Sequence, residues 1–146
     1  DIPPKRKTLW INKGKLDGIE PKMTVVVSDG LVGRVLKVGP NVSQVIMIAD
    51  IDSRVSALIQ NTREQGIVKG SADGRVFFDY LKQSANIAVN DLVITSGMGG
   101  VYMKGLVVGR VRKIELDQAG IFQVATIHPA VSFDKIEEVF VVLGEK

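Results

Sequence analysis

Residues 17–48 recur with insertions at 85–127, and no other feature limits the possible folds as tightly. The run Ile19-Glu20-Pro21-Lys22-Met23-Thr24-Val25-Val26 lies against Ile87-Ala88-Val89-Asn90-Asp91-Leu92-Val93-Ile94 at an offset of 68. Gly30-Leu31 matches Gly105-Leu106 at 75, Gly33-Arg34-Val35 matches Gly109-Arg110-Val111 at 76, and Gln44-Val45 matches Gln123-Val124 at 79. The offset only grows, so the second copy carries insertions of seven, one and three residues. Insertions are tolerated where backbone bends through solvent, so the steps mark loops and the matched blocks mark strands. The repeat predicts one small β-unit built twice.

Short Val- and Ile-rich runs between turn signals continue through the rest of the chain. Asp17-Gly18, Asp29-Gly30, Gly39-Pro40-Asn41, Asp73-Gly74, Gly99-Gly100 and Ala119-Gly120 punctuate them, and each favours positive φ or a tight reversal. Helical periodicity is nearly absent. The expected class is all-β with very little helix: two small six-stranded β-barrel-like domains related by internal duplication. The first lobe is expected over 1–70 and the second over 71–146, with the last strand near 138–143 free to pack with the first lobe. One added residue within a strand swaps every later side chain to the other face unless a bulge absorbs it. Gly33 and Gly109 are therefore expected at sharp bends of the kind a small closed barrel needs.

Composition excludes several classes. No stretch approaches the ~18–20 uninterrupted apolar residues of a membrane helix, and no signal-peptide pattern is present. The opening Asp1-Ile2-Pro3-Pro4-Lys5-Arg6-Lys7 reads as the end of a linker, with a further portion expected upstream. Cysteine is absent, which rules out disulfides and thiol chemistry. A net charge of +3 raises a nucleic-acid reading. The cationic residues are scattered, however, and one Trp, two Tyr and five Phe give few stacking surfaces. No nucleic-acid partner is expected.

Catalytic and metal readings fail on inventory. Ser96-Gly97 beside Gly99-Gly100 faintly resembles the nucleophile loop of double-barrel serine proteases. A serine nucleophile needs an imidazole base held by a carboxylate, and the sole histidine, His128, precedes Pro129 at a strand end. Gly97-Met98-Gly99-Gly100 lacks the Lys-Ser/Thr and the helix of a phosphate cradle. Asp50 and Asp52 lack the loop of a calcium hand and are expected to bond nearby amides in a turn. No catalytic residue, cofactor or metal is expected. The sharper candidate is the seven-residue insertion. It carries Met98, Val101, Tyr102 and Met103, apolar groups unfavourable in water at about 25 cal/mol per Å². They either cap their own barrel or contact a protein partner.

Four stretches resemble the MreC family of bacterial rod-shape-determining proteins. They are Asp29-Gly30-Leu31-Val32-Gly33-Arg34-Val35, the long block from Val93 to Val111, Asp52-Ser53-Arg54-Val55, and Glu137-Glu138-Val139-Phe140-Val141-Val142. The similarity runs from about Trp10 to Leu143. It implies paired small β-barrels on the extracytoplasmic, periplasmic face of the cytoplasmic membrane, anchored by an upstream segment absent here. It also implies a non-enzymatic scaffold of the cell-elongation machinery that self-associates. The implied partners are a peptidoglycan transpeptidase, other membrane proteins of the complex and, through them, the actin-like cytoskeleton. The alternatives are a degenerate double-barrel serine hydrolase and a tandem β-barrel nucleic-acid-binding module.

Overall fold

The computed structural model describes residues 6–144. Two antiparallel meanders form its frame: β2 (Thr24–Val27), β3 (Gly30–Val38) and β4 (Ser43–Met47), then β8 (Leu92–Thr95), β9 (Val107–Leu116) and β10 (Phe122–Pro129). The remaining strands are β1 (Thr8–Ile11), β5 (Arg54–Ile59), β6 (Gln65–Lys69), β7 (Val76–Lys82) and β11 (Phe140–Val141). They complete two unequal sheets. One is a closed barrel in the order β10-β7-β6-β5-β8-β9; the other has five strands in the order β1-β4-β3-β2-β11. Short 3₁₀ turns at Lys15–Asp17 and Phe133–Lys135 are the helical content among the described residues.

The class is all-β, but two six-stranded barrels are not what forms. Among the described residues one sheet closes with six strands and the other stays open with five. The break between sheets also falls earlier than residue 70. β5 and β6 pair with β8 and β7 in the barrel, so the sheets part within the connector 48–53. Strand allegiance is a long-range property that a local Val/Ile pattern does not carry. At the other end, β11 pairs with β2 in the open sheet, Phe140 opposite Val26.

The two meanders share local geometry. Val25 faces Gly33 and Val26 faces Leu31, with Val32 bulged; Val93 faces Gly109 and Ile94 faces Val107, with Val108 bulged. Lys22 and Asn90 both adopt positive φ, at 74° and 78°. Each donates its amide to the matching carbonyl, Val35 at 2.8 Å and Val111 at 2.6 Å. The bulge thus belongs to both meanders, and the extra residue expected just before Gly109 lies instead in the preceding loop, where it flips no strand. In the third strand Val35 pairs with Val45 and Val111 with Ile127. The structural offset there is 82, so the Gln-Val match at 79 is out of register.

Each sheet has its own core. Phe78, Leu81, Val55, Ile59, Val93 and Val108 fill the barrel. Val25, Val32, Val35 and Val45 fill the open sheet, and Phe133 packs against both clusters. Strand alternation alone would put Tyr80 on the same face as Phe78. A bulge opposite Val124, with Tyr80 at φ 62°, turns its ring outward onto the edge of Phe122, 5.6 Å away.

Candidate functional site

The β8–β9 connection carries the only large apolar excursion that one meander has and the other lacks. Where β2 and β3 are joined by Ser28 and Asp29 alone, Ser96 to Leu106 separates β8 from β9. Its base is pinned by Thr95, which is fully buried. The Thr95 hydroxyl donates to the Met103 carbonyl at 2.6 Å and accepts from the Leu106 amide at 2.8 Å. Gly97, Gly99, Gly100 and Gly105 all have φ between 72° and 85°. That left-handed backbone is open to glycine at little strain, and it folds the loop back on its own barrel.

The four apolar side chains of the loop therefore separate. Tyr102 is buried in the barrel core, and Val101 packs against the same cluster. Met98 is 60% exposed and Met103 36% exposed. Gly100, Val101 and Met103 also line a shallow cleft of about 270 Å³ with Glu20 to Thr24 and Val142 to Gly144. One side of the loop is a plug and the other is a surface.

Tyr102 is an uneasy plug. Its hydroxyl lies near Ser53 of the inter-sheet connector and Arg34 of β3, yet neither Tyr102 Oη nor the buried Ser53 Oγ has a hydrogen-bond partner. Burial pushes the phenol up to about 12, and the Arg34 charge offsets only part of that. An unfolded tyrosine releases its proton near pH ~10. Stability from Tyr102 is thus fully present below pH ~10 and is lost as pH rises towards about 12. Tyr102→Phe is expected to flatten the fall in melting temperature across that window. Parallel curves for the two proteins would assign the alkaline transition to other groups.

The remaining candidates are not assembled into chemistry. Ser96 Oγ accepts the Met98 amide at 3.2 Å. His128 is exposed on β10 opposite Arg110, itself opposite Leu92, so Ser96 lies two strands across and four residues further along. Among the described residues no group of three or more metal-ligating side chains gathers, and no helix is long and apolar enough to cross a membrane. Asp50 accepts the amide of Asp52 at 2.9 Å, as the turn reading expects. Residues Asp1 to Lys5 of the basic terminus lie outside the described residues.

The family model for the barrel core of the rod shape-determining protein MreC matches residues 1–143. This chain belongs to the MreC family. The cell shape-determining protein MreC of Listeria monocytogenes is 32% identical over 136 residues, covering 90% of this chain and 46% of that protein. The crystal structure of MreC from Pseudomonas aeruginosa superposes with a TM-score of 0.89 at 25% identity, covering 97% of this chain and 92% of that one. A complex between penicillin-binding protein PBP2 and MreC from Helicobacter pylori contains the same fold, with TM-score 0.69, 22% identity, and 81% and 74% coverage. The chain spans less than half the length of the curated MreC relatives named for L. monocytogenes and Haemophilus influenzae.

Sequence reasoning found this loop but not its division of labour. The signal was present in the glycines: four left-handed positions within nine residues demand a chain that doubles back.

Proposed function

We propose that this chain is the extracytoplasmic part of a cell-shape scaffold that holds peptidoglycan-synthesis enzymes by protein–protein contact and performs no catalysis itself. Membership of the MreC family is the observation that carries this reading. The H. pylori complex of PBP2 with MreC supports a transpeptidase as the partner class. In this reading an upstream membrane segment anchors the chain on the periplasmic side, the chain self-associates, and the cytoskeleton is reached through membrane proteins of the same complex. The shared bulge and the paired left-handed residues Lys22 and Asn90 support descent of the two meanders from one duplicated unit.

Within that reading, the outward side of the β8–β9 loop contacts the partner. Met98 and Met103 are adaptable apolar groups on a base stiffened by Thr95 and Tyr102, and exposed methionines suit a surface that must conform to another protein. The double substitution Met98→Asp, Met103→Asp is expected to weaken binding to the cognate transpeptidase at least tenfold. Surface changes of this kind usually leave stability within ~0.5 kcal/mol, so the melting temperature should barely move. Calorimetric titration and thermal melts on the same samples check both halves. Intact binding by the variant would reduce the loop to a lid on its own barrel.

A further inference from the structure

The five-stranded sheet lacks one strand that the barrel has, and the correspondence says which. β2-β3-β4 matches β8-β9-β10 strand for strand. β11 flanks β2 as β5 flanks β8: Val142 donates to the Thr24 carbonyl as Gln60 donates to the Leu92 carbonyl, at 2.8 and 2.9 Å. β1 flanks β4 as β7 flanks β10. In the barrel, β6 lies between β5 and β7, antiparallel to both, and closes the ring. In the open sheet nothing among the described residues occupies that place.

A groove of about 870 Å³ lies there instead, lined from one side by Leu9, Trp10 and Ile11 and from the other by Val139 and Val141. The volume is that of a site for a small ligand or a short peptide. Both edges direct backbone groups into it. The Lys7 carbonyl accepts the Met47 amide, and antiparallel bonding alternates, so Leu9 and Ile11 face β4 while Thr8 and Trp10 face the groove. By the same alternation Val141 faces away from β2. Its barrel counterpart, Ile59, uses its amide to reach the Glu64 carbonyl beside β6 at 2.9 Å. Both edges are therefore set to pair with one incoming strand.

We propose that this groove binds an extended segment of a partner protein as a sixth strand, antiparallel to β1 and β11, in which small β-branched residues alternate with basic ones. The site deepens the scaffold reading above and rests on it. β6 supplies the pattern, with Val68 fully buried and Ile67 and Lys69 on the outer side. Inward residues of the guest would meet Leu9, Ile11, Ile19 and Val141. Outward residues would meet Trp10 and Phe140, exposed at 64% and 65%, whose rings attract cationic side chains. The rim carries Asp17, Glu137 and Glu138 against Lys13 alone. Lys13 sits 4.0 Å from Asp17, and neither glutamate forms an ion pair among the described residues, so the unmatched charge is negative. Strand addition of this kind draws affinity from main-chain bonds and selectivity from alternate side chains.

Trp10 is the only tryptophan and reports on the groove directly. The probe is the capped peptide Lys-Val-Thr-Val-Lys, titrated against the whole chain while Trp10 emission and amide exchange at Trp10 and Val141 are followed. Saturable change in emission with slowed exchange at both amides is expected. The Glu-Val-Thr-Val-Glu analogue should bind at least tenfold more weakly, and a backbone N-methylated analogue should not bind. Thr8→Pro should abolish binding while the chain stays folded, because proline is tolerated at the first residue of an edge strand. A flat titration overturns the proposal, as does equal binding of the N-methylated peptide. So does a Trp10 signal that tracks protein concentration without peptide, which would mean a second copy fills the groove. In a parallel arm the transpeptidase is titrated with and without peptide. A transpeptidase that fails to bind even without peptide would sink the scaffold reading, whereas binding that persists beside a silent peptide titration would sink the groove alone.

Discussion

Gly33→Ala and Gly109→Ala are each expected to abolish folding at ordinary temperature. A Cβ on Gly109 would sit 2.2 Å from the His128 carbonyl oxygen and one on Gly33 1.9 Å from that of Ile46. Both obstacles are backbone, held in a ladder, so neither can swing aside as a flexible side chain could. Neither glycine has positive φ; what the position demands is absence of volume. Relief requires β9 to part from β10, or β3 from β4, with loss of several ladder bonds. Overpacking that a core can absorb amounts to about 1–3 kcal/mol, and a clash with fixed backbone should exceed ~4 kcal/mol, a large share of the ~5–15 kcal/mol that holds a typical domain folded. Gly99→Ala is the control. Its Cβ meets nothing within 4 Å, and the penalty should be the ~1 kcal/mol of a left-handed alanine. Circular dichroism and denaturant melts of the three variants give the comparison. Similar stability for Gly109→Ala and Gly99→Ala would refute the crowding argument.

Asp50→Ala carries the next largest effect, about 2–3 kcal/mol. Asp50 is fully buried in the connector between the sheets, and its carboxylate gathers four donors. Arg6 Nε and Nη2 approach at 3.0 and 3.2 Å, the Lys7 amide at 2.7 Å and the Asp52 amide at 2.9 Å. Burial alone would raise its pKa, but the Arg6 hydrogen bonds and the two amides together hold it below the usual carboxylate range. Removal takes the acceptor from the part-buried Lys7 and Asp52 amides, while Arg6 is half exposed and keeps Asp52, 3.2 Å away. Because the folded pKa is depressed, this stability is present above pH ~4 and lost as pH falls further. Urea melts of parent and variant should therefore differ most near neutrality and converge in acid. A gap that stays constant down to pH ~2 would argue against an ionised Asp50.

The sequence carried the strands well and their partnerships poorly. Val and Ile runs bounded by Asp29-Gly30, Gly39-Pro40, Gly99-Gly100 and Ala119-Gly120 mark β2, β3, β8 and β9 because strand propensity and turn chemistry are local. The pairing of β5 and β6 with the barrel is not local, and a boundary read from repeat spacing misassigned both strands. Tyr80 reads as an inward residue by alternation, yet a bulge that no neighbouring glycine announces turns it out. In the loop, residue type marked Met98, Val101, Tyr102 and Met103 as one apolar group. Only the folded path reveals that Tyr102 points into the core while Met98 does not.

The return of β11 to β2 makes the barrel, residues 54–129, an insert between the fourth and last strands of the open sheet. During synthesis every barrel strand emerges before Phe140 does, so the barrel can close while β2 still waits for its neighbour. The N-terminal sheet is thus the later of the two to be finished, although its first strand emerges before any strand of the barrel.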